Sequence, residues 1–306
     1  MKQVVILSGK GGTGKTTVTA AFAHLAAGDP ATRVALVDAD VDASNLELVL
    51  VPLVHEAHDF VGGQVAVIDA ALCAGCGQCA DVCRFEAIMP AGDRYDVDEV
   101  ACEGCAACAT QCPHKAIHME PQVAGRWFRS ESRYGALFHA ALRPGQENSG
   151  KLVTLIRQQA LSWVKEMGCP LVLIDGPPGI GCPVIAAATG VDLAVIVAEP
   201  TAAGIHDLER ALQTTRHFNV PSLVCINKAD LYPAGQAEIE RFCSADAIRL
   251  IGSVPFDTVV TRAMVQGEPV TAYDPGGAVS RALHSAWGAV LDALDQRGKT
   301  RLVMIR

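Results

Sequence analysis

Eight of the twelve cysteines fall into two copies of one spacing, Cys73, Cys76, Cys79, Cys83 and then Cys102, Cys105, Cys108, Cys112, the second followed by Pro113. Each copy reads C-x2-C-x2-C-x3-C. In such a run three thiolates curl around one 4Fe–4S cube while the fourth reaches a second cube. The ligand sets that follow are Cys73, Cys76, Cys79 with Cys112, and Cys102, Cys105, Cys108 with Cys83. The chemistry is storage and transfer of single electrons. Zinc ribbons use C-x2-C pairs separated by a longer spacer, which is not the pattern here. A disulfide framework needs an oxidising compartment. The N-terminal MKQVVILSGKGG enters a glycine loop with no apolar export segment, so a cytoplasmic location is expected. Arg84, where a proline would complete the first copy, removes no ligand.

A second group of residues suits phosphate. The apolar run Lys2–Leu7 leads into Gly9-Lys10-Gly11-Gly12-Thr13-Gly14-Lys15-Thr16-Thr17. Glycines let the backbone wrap a phosphate chain with amides pointing inward at a helix N-terminus. Lys15 is expected to reach the β- and γ-phosphates, and the Thr16 hydroxyl to ligate Mg2+. Further along, Ala35-Leu36-Val37-Asp38-Ala39-Asp40 is a strand ending in two carboxylates, with Asn45 beyond it. Leu171–Ile174 ends in Asp175-Gly176-Pro177-Pro178-Gly179, and Ser222–Ile226 in Asn227-Lys228-Ala229-Asp230. Gly252-Ser253-Val254-Pro255-Phe256-Asp257 follows. Each segment is weak alone, but all lie where ligands of open parallel sheets bind, at the carboxyl ends of expected strands.

The loop GKGGTGKTT, with its early Lys10, resembles the deviant Walker A motif of the MinD, ParA, Mrp and nitrogenase iron protein class. The closest resemblance is to MinD-superfamily ATPases carrying an inserted ferredoxin domain. The resemblance implies that Lys10 crosses a dimer interface to the partner's nucleotide. It implies that Asp38 and Asp175 support the magnesium and that Asp40 positions the attacking water. Asn227 and Asp230 would recognise the base, and the backbone at Pro255 would line it.

These residues need a frame. Strand-like runs recur near 33–37, 171–174, 193–198, 222–226 and 248–252, with helical patterns at 151–167, 204–218 and 234–243. That alternation predicts an α/β doubly wound, mostly parallel sheet. It is interrupted between Gly62-Gly63 and about Gln122. The expected division is an ATPase domain from 1–62 and 123–306, and an inserted α+β dicluster ferredoxin domain at 63–122. Val65–Ile68 and Ala116–Met119 would supply short bracketing strands for the insert, whose cysteine runs repeat 29 residues apart.

Charge separates the two parts. Val65–Pro121 carries nine acids against three bases, most of the chain's net −8. Such a surface either docks on a basic partner or only solvates the unit. It argues against nucleic acid, apart from a local basic group at Arg126, Arg129 and Arg133. The tail Arg297–Arg306 has too short an apolar face for membrane anchoring, and a strand or frayed end is expected there.

Together these readings predict an ATP-dependent homodimer in which nucleotide turnover gates electron flow through two 4Fe–4S clusters, with an unidentified redox partner. A cluster-assembly carrier of Mrp type and a positioning ATPase are the alternatives. The carrier's C-x2-C pair near the C-terminus is missing, and a scaffold would not need the insert. Two readings of Cys182 stand, a small packed residue or the counterpart of the iron protein's intersubunit ligand. The second lacks a companion cysteine in Glu147–Lys151. Cys169, Cys225 and Cys243 are expected to pack in the core.

Overall fold

The computed structural model describes residues 1–29, 33–146 and 148–303. In chain order the strands are β1 (Lys2–Ser8), β2 (Val34–Asp38), β3 (Leu53–Ile68), β4 (Ile88–Ala91), β5 (Arg94–Val97), β6 (Ile117–Ser132), β7 (Gly135–Leu142), β8 (Leu171–Pro178), β9 (Leu193–Ala198), β10 (Ser222–Asn227) and β11 (Arg249–Val254). The helices are α1 (Lys15–Ala27), α2 (Leu46–Leu50), α3 (Gln78–Val82), α4 (Ala107–Gln111), α5 (Ser149–Met167), α6 (Cys182–Ala188), α7 (Ala202–His217), α8 (Pro233–Ala245), α9 (Val259–Val265), α10 (Val270–Tyr273) and α11 (Ala278–Val303).

Nine strands form one sheet in the order β11-β10-β9-β1-β8-β2-β7-β6-β3. From β11 to β7 the neighbours are parallel, for example Val4 beside Leu173 and Leu36 beside Leu137. Strands covered on both faces must be apolar throughout, and Val4–Leu7, Leu171–Ile174 and Leu193–Ala198 are buried along their length. Alternate residues go to opposite layers. Val195, Val197 and Cys225 pack with α1 and α11, while Ile196, Val224 and Ile226 pack with α7 and α8. Phe22 and Trp287 close the first layer at 5.1 Å between ring centroids. Burying each such side chain stabilises the fold by about 1.5–3 kcal/mol. The result is an α/β P-loop NTPase fold with a mostly parallel sheet.

The chain divides into two compact units. The first comprises Met1–Ala57, Trp127–Ala141 and Ser149–Arg306, and the second His58–Arg126 with Leu142–Asn148. The second unit is therefore wider than 63–122. Leu142–Asn148 joins it through backbone bonding, since Arg143 N–H donates to Ala124 O at 2.9 Å. The strands expected at 65–68 and 116–119 are the ends of two 16-residue strands, β3 and β6. Gly62-Gly63 does not interrupt the chain direction but lies inside β3. A Cβ on Gly62 would stand 2.5 Å from the Ala124 Cβ, so strand packing requires glycine there. A short turn joins β6 to β7, a link that suits only an antiparallel hairpin.

Inside the second unit the duplicated cysteine runs give duplicated structure. The five-residue helices α3 and α4 each follow a left-handed residue, Gly77 at φ 81° and Ala106 at φ 61°. The core is small and largely sulfur, with Ala66, Cys79, Ile88, Cys108 and Ile117 buried. At the other end of the chain, the backbone of α11 is helical to Val303, which corrects the expectation of a strand or frayed end at 297–303. Residues 304–306 of that tail lie outside the described residues. Among the described residues no helix is long and apolar enough to cross a membrane.

Candidate functional site

The first turn of α1 is built to hold an anion. Gly14 caps it at φ 96° and provides no side-chain acceptor, which leaves the first amides of the helix unclaimed. Any Cβ on Gly14 would sit 2.2 Å from Asn227 Nδ2. That amide donates to Thr13 O at 2.8 Å and so ties the end of β10 to the loop. Lys15 is buried and donates from Nζ to Ser8 Oγ at 3.0 Å. Burial lowers its pKa, against the charges of Asp175, Asp40 and Asp38. Thr13 Oγ1 is buried without a hydrogen-bond partner.

Beneath the loop lie three carboxylates facing one ammonium. Thr16 Oγ1 donates to Asp175 Oδ2 at 2.7 Å, and Thr19 Oγ1 lies 3.0 Å from Asp175 Oδ1. Asp38 Oδ2 accepts from Ser44 Oγ at 2.7 Å, Leu46 N–H at 3.0 Å and Asn45 N–H at 3.2 Å, while Oδ1 accepts from Asp40 N–H at 3.1 Å. Asp38 thus shapes the loop that carries Asp40 and opens α2. Burial raises all three acids. The Asp38 carboxyl is raised, Asp175 reaches about 7 with help from the Asp38 charge, and Asp40 reaches about 6. The set is short of positive charge and rich in oxygen donors, which suits a hard divalent cation such as Mg2+.

A cavity of about 760 Å3 opens above these groups. Of the residues singled out by sequence, Gly11, Gly12, Gly14, Lys15, Thr16, Thr17, Asp40, Asn227 and Pro255 line it. Asp38 and Asp175 lie beneath it, buried. Asp230 is not on its wall, contrary to a direct base contact. Its Oδ1 instead accepts Phe256 N–H at 2.6 Å and fixes the Val254–Phe256 segment, which does line the cavity. Lys10 is also off the wall, because its Nζ pairs with Glu199 Oε2 at 3.0 Å. Lys228 Nζ holds the other oxygen of Glu199 and reaches Gly12 O at 3.0 Å. Burial raises the Glu199 carboxyl, but Lys228 and Lys10 outweigh it and hold the group below its usual range. Ser8, Ser44, Glu199 and the side chain of Lys228 escaped sequence reading. Glu199 had a signal, since it stands at the carboxyl end of β9 in the same row as Asp38 and Asp175.

The second unit holds two small cavities of about 20 Å3 each. Cys73, Cys76, Cys79 and Cys112 line one, with Tyr95, Pro113 and His114. Cys83, Cys102, Cys105 and Cys108 line the other, with Phe85 and Met119. Each foursome is thus gathered from both halves of the duplication. Ala116 N–H donates to Cys112 Sγ at 3.3 Å. Among the described residues no group of three His, Cys, Asp or Glu converges as ligands of a single metal ion. Four sulfurs on one zinc would sit within about 4 Å of each other, given Zn–S near 2.3 Å.

Of the remaining cysteines, Cys169, Cys225 and Cys243 are buried, and burial pushes the Cys225 thiol up to about 12 and the Cys243 thiol up to about 11. Cys182 is exposed at the start of α6 and lies against Gly150, in the segment that would have supplied a companion cysteine. Glu147 of that segment is outside the described residues. The basic trio is neutralised locally. Arg126 pairs with Asp59, Arg129 with Glu56, and Arg133 with Glu268.

A wrapped glycine loop at a helix N-terminus, a buried lysine and paired acids at strand ends define a P-loop nucleotide-binding protein. The chain belongs to the CobQ/CobB/MinD/ParA nucleotide-binding domain family, whose model matches residues 4–270. It is 32% identical over 260 residues to the uncharacterized Methanocaldococcus jannaschii protein MJ0578, covering 83% of this chain and 84% of that one. It is 29% identical over 126 residues to an iron-sulfur cluster carrier protein of Aquifex aeolicus, over 37% of this chain and 35% of the relative. Among solved structures it resembles the septum site-determining protein MinD of Pyrococcus horikoshii complexed with Mg-ADP. That likeness has a TM-score of 0.58 at 18% identity, covers 94% of this chain and 95% of that one, and speaks for the fold.

Proposed function

We propose that this protein binds and hydrolyses ATP between two copies of itself and uses that cycle to gate electron transfer through two 4Fe–4S clusters. The observation that carries the reading is the grouping of eight thiols into two four-cysteine cavities in a chain whose other unit has a phosphate loop over buried acids. The small sulfur-rich core of the second unit fits the same view. A core of that size needs a metal centre to be stable, so cluster binding and folding are coupled there.

At the nucleotide, the free amides of α1 hold the phosphate chain. Lys15 moves from Ser8 to the β- and γ-phosphates, where its charge offsets theirs. Thr16 and Asp175 are the groups that would hold Mg2+, supported from below by Asp38. When bound, the ion neutralises charge on the phosphate oxygens. Asp40 orients the attacking water, and its pKa near 6 keeps it largely ionised at neutral pH. Lys10 must leave Glu199 to act on the partner's nucleotide. Cys73, Cys76, Cys79 and Cys112 would hold one cluster, and Cys83, Cys102, Cys105 and Cys108 the other. When bound, each cluster stores and releases one electron. An intact γ-phosphate would hold both switch segments and so set the state of the dimer.

The similarity to an iron-sulfur cluster carrier protein favours a second reading, in which the clusters are cargo. One experiment separates the two. Anaerobically purified protein should contain about eight irons and eight acid-labile sulfides per chain. Its clusters should shift in reduction potential when a non-hydrolysable ATP analogue and Mg2+ are added, and its iron should stay with it when an apo-ferredoxin is present. Transfer of the iron to the apo-protein, with no change of potential, would replace electron gating by delivery.

A further inference from the structure

Resting on the gating reading, we propose that Glu47 and His139 are positioning residues that transmit the state of the nucleotide switch to the two strands bearing the cysteine unit. The contacts run without a gap through the first unit. Asp38, under the phosphate loop, grips the start of α2 through Ser44, Asn45 N–H and Leu46 N–H. The next residue, Glu47, places Oε2 3.0 Å from Nδ1 of His139 on β7. On its far side, His139 Nε2 lies 2.9 Å from Ser130 Oγ on β6, in a buried contact. Phe128, also on β6, stacks on the imidazole at 5.0 Å between centroids and 26° between planes.

The direction of these bonds is fixed. His139 is only 4% exposed, and burial pushes its pKa down to about 4, so it is neutral at physiological pH. A neutral imidazole has one proton. Given to Glu47 from Nδ1, it leaves Nε2 to accept from the Ser130 hydroxyl. Turning the ring would leave Nε2 and the Ser130 hydroxyl unpaired, and moving the carboxylate would leave the buried Nδ1–H without an acceptor, so each departure is costly. The contact is therefore made or broken rather than stretched.

The same helix has a covalent hold on the other strand. Leu50 ends α2, Val51 follows in a left-handed conformation at φ 44°, and β3 begins at Leu53. Strands β3 and β6 both continue from the first unit into the second, with boundaries at Ala57 and Arg126. A displacement of α2 is thus delivered to β3 through the chain and to β6 through Glu47, His139 and Ser130. Binding at the nucleotide site would bear on α2, because the Asp38 carboxylate that anchors the helix start is also the group that would support Mg2+ from below. This is a physical network with one element that two sites bias, which is what coupling requires.

The test uses the full cluster-loaded chain, as wild type, Glu47→Ala and His139→Gln. Two quantities are read with and without a non-hydrolysable ATP analogue plus Mg2+: the cluster midpoint potentials, and amide exchange in 58–68 and 117–126. Wild type should show an analogue-induced potential shift and altered exchange in both segments. Both variants should keep wild-type iron content and analogue affinity. Their analogue-induced change in exchange should fall at least about fivefold, the lower end of ordinary coupling between sites, and the potential shift should be lost. Variants that retain the full shift overturn the relay while leaving ATP gating intact. A wild type with no shift at all removes the gating reading, and the relay with it. Should His139→Gln fail to fold, Glu47→Ala decides alone, because the Glu47 side chain is 40% exposed and little packing is lost.

Discussion

Binding of Mg2+ and nucleotide should expel protons from this protein, and a lower bound on the number can be worked from two acids, the buried Asp175 and the half-buried Asp40. Asp175 titrates at about 7 and Asp40 at about 6 without a cation, raised by burial and by the Asp38 charge. Asp175 must be ionised to hold Mg2+, and Asp40 to orient the attacking water. Complete ionisation of these two on binding releases about 1.4 protons at pH 6 and about 0.1 at pH 8, and the raised Asp38 carboxyl adds to the release in the same direction. The raised values also fix the sign for the empty protein. Its folded state holds protons that the unfolded chain gives up, so this contribution to stability is full below about pH 4 and is lost as pH rises through 6 and 7. Calorimetric titration of nucleotide in buffers of different ionisation enthalpy measures the protons, after subtraction of those the nucleotide itself releases to Mg2+ in a protein-free run. Asp40→Asn should lower the release at pH 6 by about 0.5, the share of a carboxyl that titrates at about 6. Proton release that stays flat between pH 6 and pH 8 would refute the assignment of these acids to the cation site.

Three further outcomes are expected. Lys10→Ala should bind nucleotide as wild type does but sediment as a monomer with the ATP analogue under conditions where wild type dimerises. Equal dimerisation would remove Lys10 from the interface. Cys76→Ala and Cys105→Ala should each reduce the iron content to about half, and their single remaining paramagnetic signals should differ, because the two thiols line different cavities. Arg157, buried in α5, donates to Ala186 O, Thr189 O and Gln3 Oε1 and so joins α6 to β1. Arg157→Leu should destabilise the chain by about 3 kcal/mol in denaturant titration, and a loss below 0.5 kcal/mol would show that those carbonyls find other donors.

The phosphate loop, the strand-end acids and the parallel sheet were legible because each has a local signature. A glycine series sets a turn, and an apolar run of five or six residues sets a strand buried on both faces. The cysteine sets were legible because spacing within eleven residues brings three thiols of each run together, and the repeat of the run places its fourth with the other three. The long strands β3 and β6 were not. Their outer halves, such as His55-Glu56-Ala57-His58-Asp59, carry polar residues on both faces, because the pair is only partly covered and alternation is lost. Gly62 misled for a related reason, as glycine marks a turn and a tight interstrand contact alike. The Glu199 clamp and the His139 relay were invisible because each joins residues far apart in sequence through one ion pair or one ring. Asp230 was legible as a strand-end residue but not in its bond to the Val254–Phe256 loop. NKAD fixes the backbone turn but not whether its carboxylate faces a base or the neighbouring loop.

Each cysteine cavity draws three thiols from one half of the duplication and the fourth from the other, so the two halves are interlocked like links of a chain. Neither 73–83 nor 102–112 has a complete set of its own. A gene cut between them would yield two fragments, each with three thiols of one cavity and one of the other, so neither cavity could form until the fragments met. Deleting either copy would leave one cavity with three thiols and the other with one.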